Sequence, residues 1–193
     1  WDFDGVILNS MSIRDRGFEL TLSEFPKEQV EALLNYHRQN GGLSRYVKFR
    51  YFFEVIRRES VTEERVQELA AAFSIIMLAE LNNPDLLIHD SLNFIKEHHT
   101  QIPMHIVSGS DQTELRQLCK KLDLTQYFKS IHGSPTPKNQ LVKDILNNFQ
   151  YSARKCLLIG DSINDWEAAN SSGIGFQAFG NVEINHLTNR KVL

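Results

Sequence analysis

Two carboxylates two residues apart, Asp2 and Asp4, open the chain, followed at once by Gly5 and the apolar run Val6-Ile7-Leu8. On a strand ending in a turn, that spacing aims both acids at one reaction centre, where one attacks or binds metal and the other moves a proton. Acid pairs are also common on solvated loops, so this pair gains meaning only from partners elsewhere. The candidates are Ser108 with Gly109, then Lys138, then Asp161 with Asp165. Clustered carboxylates cannot all stay ionised cheaply without a cation, and hard oxygen ligands with room for water and phosphate suit Mg2+. Ser108 offers a hydroxyl and Gly109 an unobstructed backbone N–H. Lys138, at a helix start, adds positive charge where phosphoryl oxygens must be neutralised. Each type therefore has a use if the substrate is a phosphate ester. Taken singly, each also has a plainer reading as a turn serine, a solvated lysine or an acid favoured by a helix dipole.

The elements that must position these residues fall into two textures. From about residue 11 to 87 the pattern is helical. Pro26 suits the first turn of a helix that runs to Gly41-Gly42. A second helix carries Tyr46, Phe49, Phe53 and Ile56, and Ser60-Val61-Thr62-Glu63 reads as a capping box before the stripe Val66, Leu69, Phe73, Ile76 and Met77. These apolar residues are expected to be core. From about residue 88 strands and helices alternate. Strands are expected at Pro103–Val107, Lys129–His132, Cys156–Ile159 and Ile174–Ala178. The helices between them start at Asp111, at Thr136-Pro137 and at Ser162, which caps with Asp165 in its first turn; Gly173 ends the last. This alternation predicts an α/β fold with a doubly wound parallel sheet, in which ligands bind at the carboxyl ends of the strands. The first strand ends at Asp2 and Asp4, the second at Ser108-Gly109, the third leads to Lys138 and the fourth ends at Gly160-Asp161. The candidates thus fall on successive strand ends or the helix starts beside them.

The ordered set resembles the haloacid dehalogenase superfamily of phosphotransferases. Asp2-Phe3-Asp4-Gly5-Val6-Ile7 resembles its first motif, Ile106-Val107-Ser108-Gly109 its second, Lys138 after Thr136-Pro137 its third, and Gly160-Asp161-Ser162-Ile163-Asn164-Asp165 its fourth. The helical segment matches the cap of the subgroup containing phosphoglycolate phosphatase and β-phosphoglucomutase. The resemblance implies a Rossmann-like core of residues 1–10 and 88–193, with a helical cap, residues 11–87, inserted between the first two motifs. It implies Asp2 as nucleophile and Asp4 as proton shuttle. Mg2+ is implied on the Asp2 side chain, the Asp4 carbonyl and Asp161, with Asp165 supporting from behind. Ser108, Gly109 and Lys138 are implied to hold the phosphoryl group. Gly42-Leu43-Ser44-Arg45 resembles a cap motif whose arginine faces the substrate, so Arg45 is expected at the substrate's distal anionic or polar end. Arg14, near the junction of core and cap, is a weaker candidate for the same contact. Asn9 stands where many relatives carry aspartate, which bears on hinge geometry and not on the reacting acids. The presence of Asp4 argues against dehalogenation, because a halide leaving group needs no proton.

Composition narrows the classes. The chain has 193 residues, 41% hydrophobic, and a net charge of -3, which gives no reason to expect nucleic acid or anionic membrane as a partner. No stretch approaches the ~18 apolar residues of a membrane span. Cys119 and Cys156 have no paired spacing and are expected to be reduced thiols, fitting a cytoplasmic protein. The chain starts without methionine, inside what reads as a strand, so upstream residues are expected. Residues 38 to 58 hold Arg38, Arg45, Lys48, Arg50, Arg57 and Arg58 against Glu54 alone. Arg50, Glu54 and Arg58 are spaced to pair along a solvated helix face, and most of this charge is expected to be solvated. The expected activity is that of a Mg2+-dependent phosphatase acting on a small phosphorylated metabolite, a sugar phosphate or phosphoglycolate-like compound. A phosphomutase of the β-phosphoglucomutase type is the alternative within enzymes. A non-enzymatic phosphoacceptor receiver domain is the alternative of another class, opposed by the chain length and the helical insertion.

Overall fold

The computed structural model describes residues 1–193. Helices come first: α1 (Met11–Thr21), α2 (Lys27–Gln39), α3 (Arg45–Tyr51) and α4 (Glu63–Glu80). Then α5 (His89–His98), β1 (His105–Asp111), α6 (Gln112–Lys121), β2 (Ser130–Ser134), α7 (Lys138–Asn148), β3 (Leu157–Gly160), α8 (Ile163–Ser171) and β4 (Gly175–Ala178) alternate. β1 pairs with β2 and β3 with β4, both in parallel. The first residues join the two pairs. The Trp1 amino group donates to His105 O and the Val107 N–H to Trp1 O, while the Asp2 N–H donates to Ile159 O, each at 2.9 Å. Trp1 and Asp2 therefore lie between β1 and β3, giving a Rossmann-like parallel order with the first segment in the middle. Instead of the expected first strand, Trp1 and Asp2 make these bonds outside any regular strand, and Asp4 forms only an isolated bridge to Leu8.

Strand periodicity sorts the core. Ile106 and Val107 point to opposite faces of β1. Ile106 joins the larger apolar cluster, with Leu92, Ile95, Leu115 and Leu118 of α5 and α6, whereas Val107 joins Leu141, Ile145, Ala168 and Phe176 around α7 and α8. The larger cluster continues without a break into α1, α2, α3 and α4 through Phe18, Leu33, Phe49, Phe73 and Met77. Those aromatics are core, as their spacing predicts.

Two helical details differ from the sequence reading. The cap of α4 is Thr62, whose side chain accepts from the Arg65 N–H at 3.2 Å, and not Ser60. Arg58 reverses the chain with φ 57°, so the helix starts only after that turn. The helix carrying Tyr46 and Phe49 is α only to Tyr51 and widens into a π-helix over Phe52–Arg57. With i→i+5 bonding the four-residue register is lost. Arg50 pairs with Glu63 of α4 and Arg57 with Glu59, leaving Glu54 out of both pairs.

α1 and α4 touch at Gly17. A Cβ added there would lie 2.4 Å from Met77 Cε and 2.9 Å from Phe73 Cε2. Gly17→Ala gains ~1 kcal/mol of helix propensity, but overpacking costs ~1–3 kcal/mol. The expected net loss is on the order of 1 kcal/mol, read as a fall in Tm of a few degrees; a rise would show that Phe73 yields freely. No helix is long and apolar enough to cross a membrane. Both cysteines are free, Cys119 buried and Cys156 partly so.

Candidate active site

The carboxyl ends of the strands bring Asp2, Lys138, Asp161 and Asp165 together. Asp2, between β1 and β3, is buried, and Lys138 at the start of α7 donates to its Oδ1 at 2.8 Å. Lys138 Nζ also donates to Asp165 Oδ1. Asp165 Oδ2 accepts from the Ser162 N–H at 3.1 Å and from Ser162 Oγ at 2.5 Å, so the expected capping box at the head of α8 also fixes Asp165. Gly160 makes this approach possible, since a Cβ there would lie 2.3 Å from that of Asp165. Gly5, at φ 75°, does the same for Asp161, whose Oδ2 would lie 2.0 Å from an added Cβ. A side chain at either glycine would push an acid out of the centre.

The electrostatics follow from this crowding. Carboxylate oxygens of Asp2, Asp161 and Asp165 lie within 4.8 Å of one another. Burial, and then the Asp165 charge, push the Asp2 carboxyl above its ordinary range against the pull of Lys138. Burial and the charges of Asp2 and Asp165 push Asp161 up likewise. Burial opposes the Lys138 charge, but Asp165 and Asp2 outweigh it and hold the ammonium above the ordinary lysine value. One lysine does not balance three crowded carboxylates, two of them buried and Asp161 partly so. The Asp161 carboxylate accepts no hydrogen bond from the protein, and every candidate donor atom is oxygen, which is the donor set of a hard divalent cation.

Asp4 belongs to a different neighbourhood. Its Oδ1 accepts from Ser10 Oγ at 2.5 Å and Arg14 Nε at 2.6 Å, and its Oδ2 from Ser110 Oγ at 2.6 Å. Burial would raise its pKa, but the Arg14 charge and these donors outweigh it and hold the carboxyl below the ordinary range. Asp2 and Asp4 are thus two acids pushed in opposite directions by their surroundings.

Ser108 is buried on β1, one residue beyond Val107, and its Oγ accepts from the Ser110 N–H at 3.1 Å. Gly109 meets the α2–α3 loop: an added Cβ would lie 2.4 Å from Gly42 O. At Gly42 an added Cβ would lie 2.8 Å from Asn164 Cβ and 2.9 Å from Ser162 Oγ. That loop therefore packs main chain on main chain against Gly109 of β1 and against the Ser162 and Asn164 side chains at the head of α8. Arg45 is buried, its Nη1 donating to Ser74 Oγ at 2.7 Å and lying 2.6 Å from Glu114 Oε2, with its guanidinium 4.5 Å above the Phe73 ring. The contact with Glu114 is charge to charge without hydrogen-bond alignment.

Ser10, Ser110, Glu114, Lys48 and His37 were not singled out by the sequence as site residues. Glu114 follows the N-cap Asp111 and reads as the acid of its capping box. Asp111 does cap α6, accepting from the Thr113 and Glu114 N–H groups at 2.9 and 3.0 Å, but the Glu114 side chain turns inward to Arg14 Nη1 at 3.2 Å and to Arg45. Ser10 and Ser110 carry a signal only in hindsight, as small donors near the ends of the first two motifs. Lys48, expected on a solvated face, is 2% exposed.

A parallel sheet with acids, a lysine and glycines at its carboxyl edge defines a hydrolase-type α/β enzyme with an oxygen-rich centre. The family model described as haloacid dehalogenase-like hydrolase matches residues 1–179, and the chain belongs to that family. Members of this family generally use a divalent metal. Membership also replaces the receiver-domain alternative. Among solved structures, the chain is similar to a β-phosphoglucomutase from Clostridium difficile at TM-score 0.80 and 15% identity, covering 100% of this chain and 88% of that one. It is similar to CbbY from Rhodobacter sphaeroides in complex with phosphate at TM-score 0.73 and 14% identity, covering 99% and 87%. A haloacid dehalogenase-like hydrolase from Streptococcus pneumoniae gives TM-score 0.69 and 18% identity over 97% and 89%. No curated protein sequence matches the chain.

Proposed function

We propose that the protein is a Mg2+-dependent phosphatase acting on a small phosphorylated metabolite, with residues 11–87 serving as a cap over a core of residues 1–10 and 88–193. The observation that carries this reading is Lys138 shared between Asp2 and Asp165, with Asp161 alongside and lacking a protein donor. Mg2+ would be held by the Asp2 side chain, the Asp4 carbonyl and Asp161, with Asp165 behind. When bound, it supplies charge that neutralises the acids and the phosphate.

Asp2 attacks phosphorus, forming an aspartyl-phosphate as the ester P–O bond breaks. Asp4, kept ionised by Arg14 in its present contacts, must part from Arg14 and take up a proton from solvent before it can give one to the departing alkoxide; it then takes one from the water that cleaves the intermediate and releases phosphate. Asp4 must exchange at least one of its three present donors for the ester oxygen to do so. Ser108, the Gly109 N–H and Lys138 hold phosphoryl oxygens through the displacement. Arg45 is assigned to the far end of the substrate.

A phosphomutase reading is favoured by the similarity to a β-phosphoglucomutase. Phosphate release from a panel of sugar phosphates is expected, and is compared with isomer interconversion in the presence of a bisphosphate. Sustained interconversion without net release would replace the phosphatase by the mutase.

Metal binding has a pH signature. Without a cation, Asp2 and Asp161 keep protons in the fold at pH values where unfolded carboxylates, near ~4, have lost them. Stability therefore falls as pH rises from ~4 through the raised folded values. Mg2+ binds the ionised pair, so its gain in Tm is expected to be larger at pH 8 than at pH 5 and to shrink in Asp161→Asn. Equal gains at both pH values would argue against these ligands.

A further inference from the structure

Arg14 of α1 stands between two carboxylates in the interior. Its Nε donates to Asp4 Oδ1 at 2.6 Å and its Nη1 to Glu114 Oε1 at 3.2 Å, while its Nη2 is buried without a partner. Glu114 of α6 is half used in the same way. Its Oε1 accepts from Arg14, and its buried Oε2 accepts no hydrogen bond, although the Arg45 guanidinium lies 2.6 Å away. One donor and one acceptor are therefore left over on two groups already in contact. Paired end-on, with Nη1 on Oε1 and Nη2 on Oε2, the two groups would form the parallel fork that is the strong geometry for guanidinium and carboxylate. The guanidinium is planar and rigid, so turning its Nη1–Nη2 edge squarely onto Glu114 swings Nε away from Asp4.

The chemistry assigned to Asp4 calls for such a move. An arginine is a donor at every nitrogen, so it suits an ionised oxygen and has nothing to offer a protonated one. The Ser10 and Ser110 hydroxyls donate or accept as they rotate, and can stay with Asp4 in both of its charge states. Arg14 is 5% exposed, and a guanidinium left in a dry interior without an anion is strongly disfavoured. Asp4 and Glu114 are the two carboxylates it pairs with, so when Asp4 carries a proton Glu114 is the anion that remains. We propose that Glu114 is a positioning residue: it takes the Arg14 guanidinium as Asp4 turns to the ester oxygen, and holds it until Asp4 has given its proton up. Arg14 then returns to Asp4. The hand-over changes hydrogen bonds alone, and it rests on the proposed role of Asp4 as proton shuttle.

Glu114→Gln keeps the shape and removes the charge, so Arg14 stays on Asp4. With Mg2+ present, kcat for propyl phosphate is expected to fall about 10- to 100-fold with KM within about 3-fold of wild type, a part of the ~10^2- to 10^4-fold that acid–base catalysis supplies. p-Nitrophenyl phosphate separates the two steps. Its leaving group needs no proton, so the first equivalent of p-nitrophenol should appear at the wild-type rate. Later turnovers need Asp4 as base towards water, and should slow by the same factor as kcat for propyl phosphate. A Glu114 that only supports the fold would slow both phases together, and that result overturns the hand-over, as do two unchanged phases. In Arg14→Gln/Glu114→Gln no cation binds Asp4, and the later turnovers should recover at least several-fold over Glu114→Gln; no recovery also overturns it. If Glu114→Gln does not fold, Glu114→Asp, which falls a methylene short of the fork, replaces it under the same criterion. Asp4→Asn is run alongside. If its two phases keep their wild-type ratio, the proton-shuttle reading fails and the hand-over with it. A ratio that shifts in Asp4→Asn and not in Glu114→Gln removes the hand-over alone.

Discussion

Asp2→Asn is expected to turn over p-nitrophenyl phosphate at least ~10^3-fold more slowly than the wild type, with no phosphorylated intermediate trapped by hydroxylamine. The size of the effect follows from what is removed. An amide oxygen is a poor nucleophile; Asp165 is held by Lys138 and Ser162 and Asp4 by Arg14, Ser10 and Ser110, and the proposed role of Asp161 commits it to the metal. The fold should tolerate the change: asparagine fills the same volume and removes one of three crowded carboxylates. A loss of activity therefore reads as lost chemistry when the Tm is unchanged or higher. Asp4→Asn separates the second role. It should slow esters of poorly leaving alcohols much more than p-nitrophenyl phosphate, whose leaving group needs no proton. Wild-type rates in Asp2→Asn would remove the assigned nucleophile.

The largest effect on stability is expected at Glu114. Its side chain is completely buried and faces two guanidinium groups, Arg14 at 3.2 Å and Arg45 at 2.6 Å. Glu114→Ala leaves both in a dry interior with Asp4 as the only anion near Arg14. Breaking a buried pair by removing one partner costs ~3–5 kcal/mol. Denaturant unfolding should show a loss of that order. Glu24→Ala, which breaks the exposed pair with Arg65, should cost ~0–1 kcal/mol in the same assay. Similar small losses for both would mean that water or a rearranged Asp4 compensates for Glu114, and the charge chain would then have little structural weight.

What the sequence made legible was whatever depends on local pattern. The apolar run Pro103–Val107 announced β1, Ser162 and Asp165 the head of α8, and Gly173 its end. The acids and the lysine were legible because strand ends in a parallel sheet converge on one edge. What stayed hidden depends on how helices approach one another. Lys48 reads as solvated until α1, α2 and α3 are packed, and Glu114 reads as a helix cap until Arg14 and Arg45 arrive from other elements. The spacing of Arg50, Glu54 and Arg58 misled because it assumes 3.6 residues per turn, and the π-helix over Phe52–Arg57 has more. Its cause is tertiary: Phe52 and Phe53 both sit in the core beside Phe25.

Gly42 lies main chain against Gly109 and, at the head of α8, against the Ser162 and Asn164 side chains. A contact this close leaves little space beside it for a long or branched molecule. Under the proposed function, that contact selects for a substrate small enough to lie wholly behind the loop. The fit is written in atoms that are missing from the sequence, two methyl groups that neither position can hold.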